Sequence, residues 1–72
     1  MIRFSKHALI KLAHRKIGEK YVELTVEEPD YLEISGGRMI AFKKFKKLTL
    51  KVIYLDRDTS KLIVTQHWIK TK

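Results

Sequence analysis

No cysteine occurs in these 72 residues, so neither a disulfide framework nor a thiolate zinc site can hold the fold together. Hydrophobic packing must do so alone or with the help of a partner subunit, around one modest core in a single domain spanning 1–72. No stretch approaches the roughly 20 consecutive apolar residues of a membrane-spanning helix. Met1-Ile2-Arg3-Phe4-Ser5 lacks the apolar run of a signal peptide. The expectation is a cytoplasmic protein with no membrane contact. Glycine is scarce too. The three glycines form no phosphate-binding loop and no nucleophile elbow, and the pair Gly36-Gly37 reads as a tight hairpin turn. The most informative absence is of one charge: no acidic residue lies between Glu33 and Asp56, an interval that holds Arg38, Lys43, Lys44, Lys46, Lys47 and Lys51.

Six of the eight acidic residues sit instead in the segment 19–33, within a chain of net charge +8. A cationic ribbon with no carboxylate to neutralise it repels itself unless a polyanion is its partner. Surplus lysine also serves solubility and keeps sheet edges apart. The segregation of charge nevertheless points first to nucleic acid.

Two helices open the pattern. Ser5 is a good N-cap for a helix running to about 16. At 100° per residue, Ala8, Leu9, Leu12 and Ala13 share one side of it, Ile10 and Ile17 flank them, and His7, Lys11, His14 and Arg15 lie opposite. Gly18 breaks this helix. A second follows over 19–27, with Tyr21, Val22 and Val26 as its apolar contacts and Glu19, Glu23 and Glu27 as a solvated acidic stripe, ended by Pro29-Asp30. The period then changes to two. Strands are expected over 31–34, 38–45, 48–55 and 61–69, joined by Ser35-Gly36-Gly37, by Lys46-Lys47 and by a polar turn over 56–60. The expected architecture is α+β: two N-terminal helices packed on one face of a four-stranded antiparallel sheet.

That architecture sorts the side chains. With Leu48, Leu50, Val52 and Tyr54 facing the helices, Thr49, Lys51 and Ile53 face away. In the last strand Leu62, Val64 and Trp68 accompany the core, and Ile63, Thr65, His67 and Ile69 point outward. The strand 38–45 is ambiguous, because Ile40 and Phe42 compete with Met39, Ala41 and Phe45 for the interior. If Ile40 and Phe42 are inside, Lys43 joins Lys51, Thr65 and His67 on the open face, and Met39, Ala41 and Phe45 offer an apolar groove to a partner segment.

No paired carboxylates on a strand suggest hydrolytic chemistry. His7 and His14 are two helical turns apart, too far for joint ligation, and neither has a carboxylate three or four residues on. No metal and no cofactor are expected. What remains is a basic, hydroxylated surface with a histidine: Arg38, Lys43, Lys51, Tyr54, Thr65 and His67. RNA cleavage without a metal needs a base for the ribose 2′-hydroxyl, cations for the in-line phosphorane and a proton for the leaving 5′-oxygen. Histidine titrates near neutrality and suits the proton transfer, while Arg and Lys hold phosphate.

Several local patterns are similar to those of a known group. Phe4-Ser5-x-His7-Ala8, then Arg15-x-Ile17 and later Glu28-Pro29-Asp30, resembles a short domain-of-unknown-function family placed in the RelE/ParE-like toxin superfamily of bacteria and archaea. The Gly37-Arg38 turn and the segments Leu50-x-Val52-x-Tyr54 and Ile63-Val64-Thr65 also fit, so the resemblance spans nearly the whole chain. It implies a RelE-like helix–helix–sheet fold and a toxin of a type II toxin–antitoxin module. Its partners would be an acidic antitoxin protein encoded by an adjacent gene and RNA, in relatives often RNA on the ribosome. RelE-like members are metal-independent messenger-RNA endoribonucleases; ParE-like members inhibit DNA gyrase by protein contact. By position in the meander, Arg38, Lys51 and His67 are the nearest equivalents of the nuclease's catalytic residues. Lys43, Lys44, Lys46, Lys47 and Thr65 would position the RNA. His7 and Arg15 match the local motif, with fixing the first helix against the sheet as their implied role. His7, Arg15 and Tyr54 stand as secondary candidates. With Lys70-Thr71-Lys72 following the last strand, proton transfer falls to His67. A non-catalytic interaction module and a plain nucleic-acid-binding domain are the competing functional expectations.

Overall fold

The structure, a computed structural model, describes residues 2–57 and 59–70. Its elements are β1 (Ile2–Phe4), α1 (Lys6–Arg15), α2 (Glu19–Glu27), β2 (Tyr31–Ser35), β3 (Arg38–Phe45), β4 (Leu48–Arg57) and β5 (Ser60–Lys70). The strands form one five-stranded sheet in the order β1-β5-β4-β3-β2. This corrects the four-stranded antiparallel expectation: β1 adds a fifth strand and pairs parallel with β5, Ile2 opposite Lys61 and Phe4 opposite Ile63. Three residues are too few to show a period, and their partner lies at the far end of the chain, so nothing local announces the pairing. The class remains α+β. Asp58 of the expected polar turn, and Thr71 and Lys72 of the tail, lie outside the described residues.

Local chemistry accounts for the two helices. Ser5 caps α1 by accepting from the Ala8 amide at 3.1 Å. The same residue ties the helix to the sheet, its amide donating to the Ile63 carbonyl (3.0 Å) and its hydroxyl to that of Val64 (3.3 Å). Lys16, at φ 53°, closes α1 in the left-handed region, and Gly18 serves as the N-cap of α2. Ala8 and Leu12 from α1, Ile17 from the link to α2, and Val22, Thr25 and Val26 from α2 are buried, whereas Leu9, Ile10 and Ala13, expected on or beside the apolar side of α1, are exposed. The Gly36-Gly37 turn has φ of 56° and 78°, the positive pair that a two-residue hairpin requires.

Both helices pack on the same face of the sheet, against Ala41, Leu50, Val52, Tyr54 and Ile63, with Ile2, Phe4, Met39, Phe45 and Trp68 packed around them. Two assignments are thereby settled. In β3 it is Ala41 that is fully buried, opposite Val52, while Ile40 pairs with Ile53 and Phe42 with Lys51 on the other face. Met39, Ala41 and Phe45 therefore belong to the core side, packed with the helices rather than presented together on the open face. In β5 the expected Leu62 and Val64 do not lead into the core. A bulge shifts the register so that Tyr54 pairs with Ile63 and Ile53 with Thr65, leaving Val64 between them. An extra residue resets the in–out alternation. Ile63, expected outside, is therefore fully buried, and so is Gln66 beyond the bulge. The Gln66 side-chain amide donates to the Ala8 carbonyl at 2.9 Å, and its Oε1 has no partner among the described residues.

Candidate nucleic-acid interface

The face turned away from the helices holds a row of basic and aromatic side chains. Cross-strand pairs share a face with Cβ atoms about 4.5–5.5 Å apart, so the register reads out a row across the sheet. His67 on β5 lies opposite Lys51 on β4, Lys51 opposite Phe42 on β3, and Phe42 opposite Tyr31 on β2. The Lys51 ammonium stands 5.9 Å from the centre of the Phe42 ring, within cation–π range. The Phe42 and Tyr31 rings are 5.8 Å apart and tilted by 39°. Thr65 is two residues from His67 on the same face, opposite Ile53. On the other side of the row Ile69 faces Thr49, and Thr49 faces Lys44.

Arg15 approaches this row from the end of α1. Its Nη1 donates to the backbone carbonyl of Gln66 at 2.7 Å, on the side of β5 turned away from β4. The buried Gln66 amide holds α1 from beneath, through Ala8, and Arg15 clasps the next surface of the same strand. The consequence is electrostatic. The pKa of His67 is lowered, first by burial, then by the positive charges of Lys51 and Arg15. Imidazole in this position is neutral near pH 7, able to accept a proton and flanked by two cations. Sequence reasoning gave Arg15 a structural role; the helix–strand contact that brings its charge to His67 is tertiary and has no local signal.

The remaining candidates divide. Arg38 is on the same face but four residues along β3 from Phe42 and two strands from β5, about 14 Å along the strand and 10 Å across it. It stands too far from His67 for the two to share one phosphate. Lys43 faces the helix side, where its ammonium donates to the Glu28 carbonyl at 2.7 Å and lies 3.7 Å from the Asp30 carboxylate. Lys44 is exposed, its backbone amide bound by Asp30 at 2.8 Å. Lys46 and Lys47 are exposed in the β3–β4 turn. Tyr54 is 3% exposed in the core, and its phenol pKa is raised by burial and then by Asp56. His7 is exposed in the first turn of α1. Phe42 and Tyr31 are the two residues of the row that were missed, because their facing depends on the ambiguous alternation of β3.

The acidic segment is largely kept away: Glu19, Glu23 and Glu27 are on α2, behind the sheet, and Asp30 is engaged with Lys43 and Lys44. Glu33 is the exception, paired with Ile40 at the β2 edge of the open face. Among the described residues there is no group of three or more His, Cys, Asp and Glu side chains able to hold a metal ion, and no helix long and apolar enough to cross a membrane. No protein-family model, curated protein or solved structure matches this chain.

Proposed function

We propose that this protein binds RNA across the open face of its sheet and cleaves it without a metal. The observation that carries the reading is the pairing of His67 with Lys51, with Arg15 as a second cation. Phe42 and Tyr31 add ring faces on which bases can stack, and stacking of this kind tolerates any sequence. Neutral His67 takes the proton from the ribose 2′-hydroxyl. The 2′-oxygen attacks phosphorus in line, forming the 2′-O–P bond as the P–O5′ bond breaks, and the leaving oxygen takes a proton from water. Lys51 and Arg15 stabilise the charge that develops on the phosphorane. The products are a 2′,3′-cyclic phosphate and a 5′-hydroxyl.

The biological setting we infer from the sequence resemblance is a cytoplasmic toxin whose acidic antitoxin, encoded beside it, occupies the same cationic face. A second reading has an observation of its own. The ladders Ile40–Ile53 and Leu55–Leu62 give the open face an uncovered apolar strip, and such strips suit protein partners. On that reading the chain is a non-catalytic module that inhibits a protein target. Incubation with single-stranded RNA in EDTA separates the two. Cleavage to cyclic-phosphate ends is expected; intact RNA, in EDTA and in added Mg²⁺ alike, would leave the interaction module standing. Cleavage that needs added metal would overturn the proposed chemistry.

A further inference from the structure

On the helix side of the sheet, where the β3–β4 turn closes its end, three aromatic rings meet. Tyr21 of α2 stands edge-on to Phe45 at 5.0 Å and 87°, Phe45 to Trp68 at 5.9 Å and 87°, and Tyr21 to Trp68 at 5.9 Å and 67°. With Leu48, Lys44 and Lys46 they line a cleft of about 460 Å³, within the range of about 300–1,000 Å³ that small-ligand sites occupy. This cluster is not closed core: Tyr21 is 48% and Leu48 40% exposed. Tyr21 is seated by its neighbour, since a Cβ on Gly18 would meet the ring at 3.2 Å. No carboxylate lines the cleft, and neither Lys44 nor Lys46 has an ion-pair partner among the described residues.

We infer that this cleft takes one unstacked nucleobase of a single-stranded RNA whose flanking phosphates lie on Lys44 and Lys46. Ring faces beside unpaired ammonium groups are the combination that single strands use, stacking for the base and charge for the backbone. A duplex keeps its bases stacked and cannot enter. Lys44 belongs to both surfaces: it lines the cleft and is exposed opposite Thr49 on the open face. A strand lying on the His67 row can therefore turn around this end of the sheet and deliver a base to the far side. The inference rests on the RNA reading proposed above. It adds a requirement that the reading does not make, a contact to one unstacked base away from the site of cleavage.

Trp68 is the only tryptophan, so its fluorescence reports the cleft directly. The intact protein is titrated at low salt with a single-stranded oligoribonucleotide, with an oligonucleotide of equal charge carrying one abasic position in each register, and with an RNA duplex. The single strand should quench Trp68, and the duplex should bind without quenching. The abasic series should show one register in which the quench is lost. Tyr21→Ala should weaken single-strand binding about 5- to 150-fold, the worth of one base stack, and leave duplex binding unchanged. Tyr21→Phe should restore it. Leu48→Glu, at an exposed position that folding tolerates, should abolish the quench by placing a carboxylate in the cleft. If single strands bind in a Lys51-dependent way but Trp68 is unmoved and Tyr21→Ala binds normally, the cleft is not a base site and the open-face reading survives. If no RNA binds at all, both fall.

Discussion

The two faces of this sheet are built from the same strands and differ in what they leave unfinished. On the covered face Leu50, Val52 and Ile63 are fully buried beneath two helices. On the open face Ile40, Phe42, Ile53 and Ile69 are each only partly shielded, by one another and by the stems of Lys51 and its neighbours. Chain alternation allots comparable apolar side chains to both. A sheet that needed only stability would have polar side chains on its solvent side. Here the solvent side keeps aromatic and aliphatic groups and sets cations and a neutral histidine among them. On the proposed function, residues of the covered face should be judged by folding, and those of the open face by binding and turnover.

The largest effect that should separate the faces is at His67. General base assistance is worth about 100- to 10,000-fold, so His67→Ala should lower RNA cleavage within that range. Its urea midpoint should stay near the wild-type value, because the ring is only partly buried and makes no core contact. Cleavage at the wild-type rate would remove His67 from the chemistry and return His7 to consideration.

Stability should show the reverse. Leu50→Ala opens a cavity under both helices and should cost about 2–5 kcal/mol in urea unfolding. Ile53→Ala, a neighbour on the same strand but on the open face, should cost only about 1 kcal/mol, in keeping with partial burial. Equal losses would mean that the open face is covered in solution by something that the isolated chain does not provide.

Protonation gives a third contrast. The pKa of His67 is held below the ordinary 6.5 by burial, then by Lys51 and Arg15. As a base it works when neutral, so cleavage should rise with pH through that lowered pKa and level off at a lower pH than an ordinary histidine would give. Lys51→Met or Arg15→Met should move the limb to higher pH, as should the imidazole shift followed by NMR. The stability term has a definite sign: the unfolded chain takes up the proton first as pH falls. Stability is therefore full above the unfolded pKa and is lost as pH falls from there to the lower folded value.

Much of this was legible in the sequence, and the exceptions have separate causes. The limits of α1, α2 and β3 follow from Ser5, Pro29 and Gly36-Gly37, which act locally. That Lys51 and His67 share the open face was legible from the alternation of β4 and of the end of β5; their direct pairing was not, because it lies beyond the bulge, which shifts the register by one residue. The parallel pairing of Ile2–Phe4 was not, since its signal is shared with residues at the other end of the chain. Ile63 was placed on the wrong face because a bulge at Val64 leaves no mark on the hydrophobic pattern. Phe42 and Tyr31 were missed because β3 is apolar on both faces, and only contact with the helices decides that small Ala41 is inside. Arg15 needed the packing of α1 on β5.

The smallest expected effect tests the correction to Lys43. Single-stranded RNA releases counterions with a slope of about 0.7 per phosphate contact in log affinity against log salt. Lys51→Ala and Lys44→Ala should each lower the slope by about that amount, so a rise from 50 to 200 mM salt costs each variant about 2.5-fold less affinity than it costs the wild type. Lys43 belongs to the same cationic run in the sequence, but its ammonium is turned to the Glu28 carbonyl and Asp30. Lys43→Ala should leave the slope unchanged and cost about 1 kcal/mol of stability instead, through the lost charged hydrogen bond that anchors the end of α2. Affinities at four salt concentrations for the three variants decide the matter. A slope for Lys43→Ala as reduced as that for Lys51→Ala would mean that the polyanion reaches the helix side of β3, and the division of labour between the two faces would have to be redrawn.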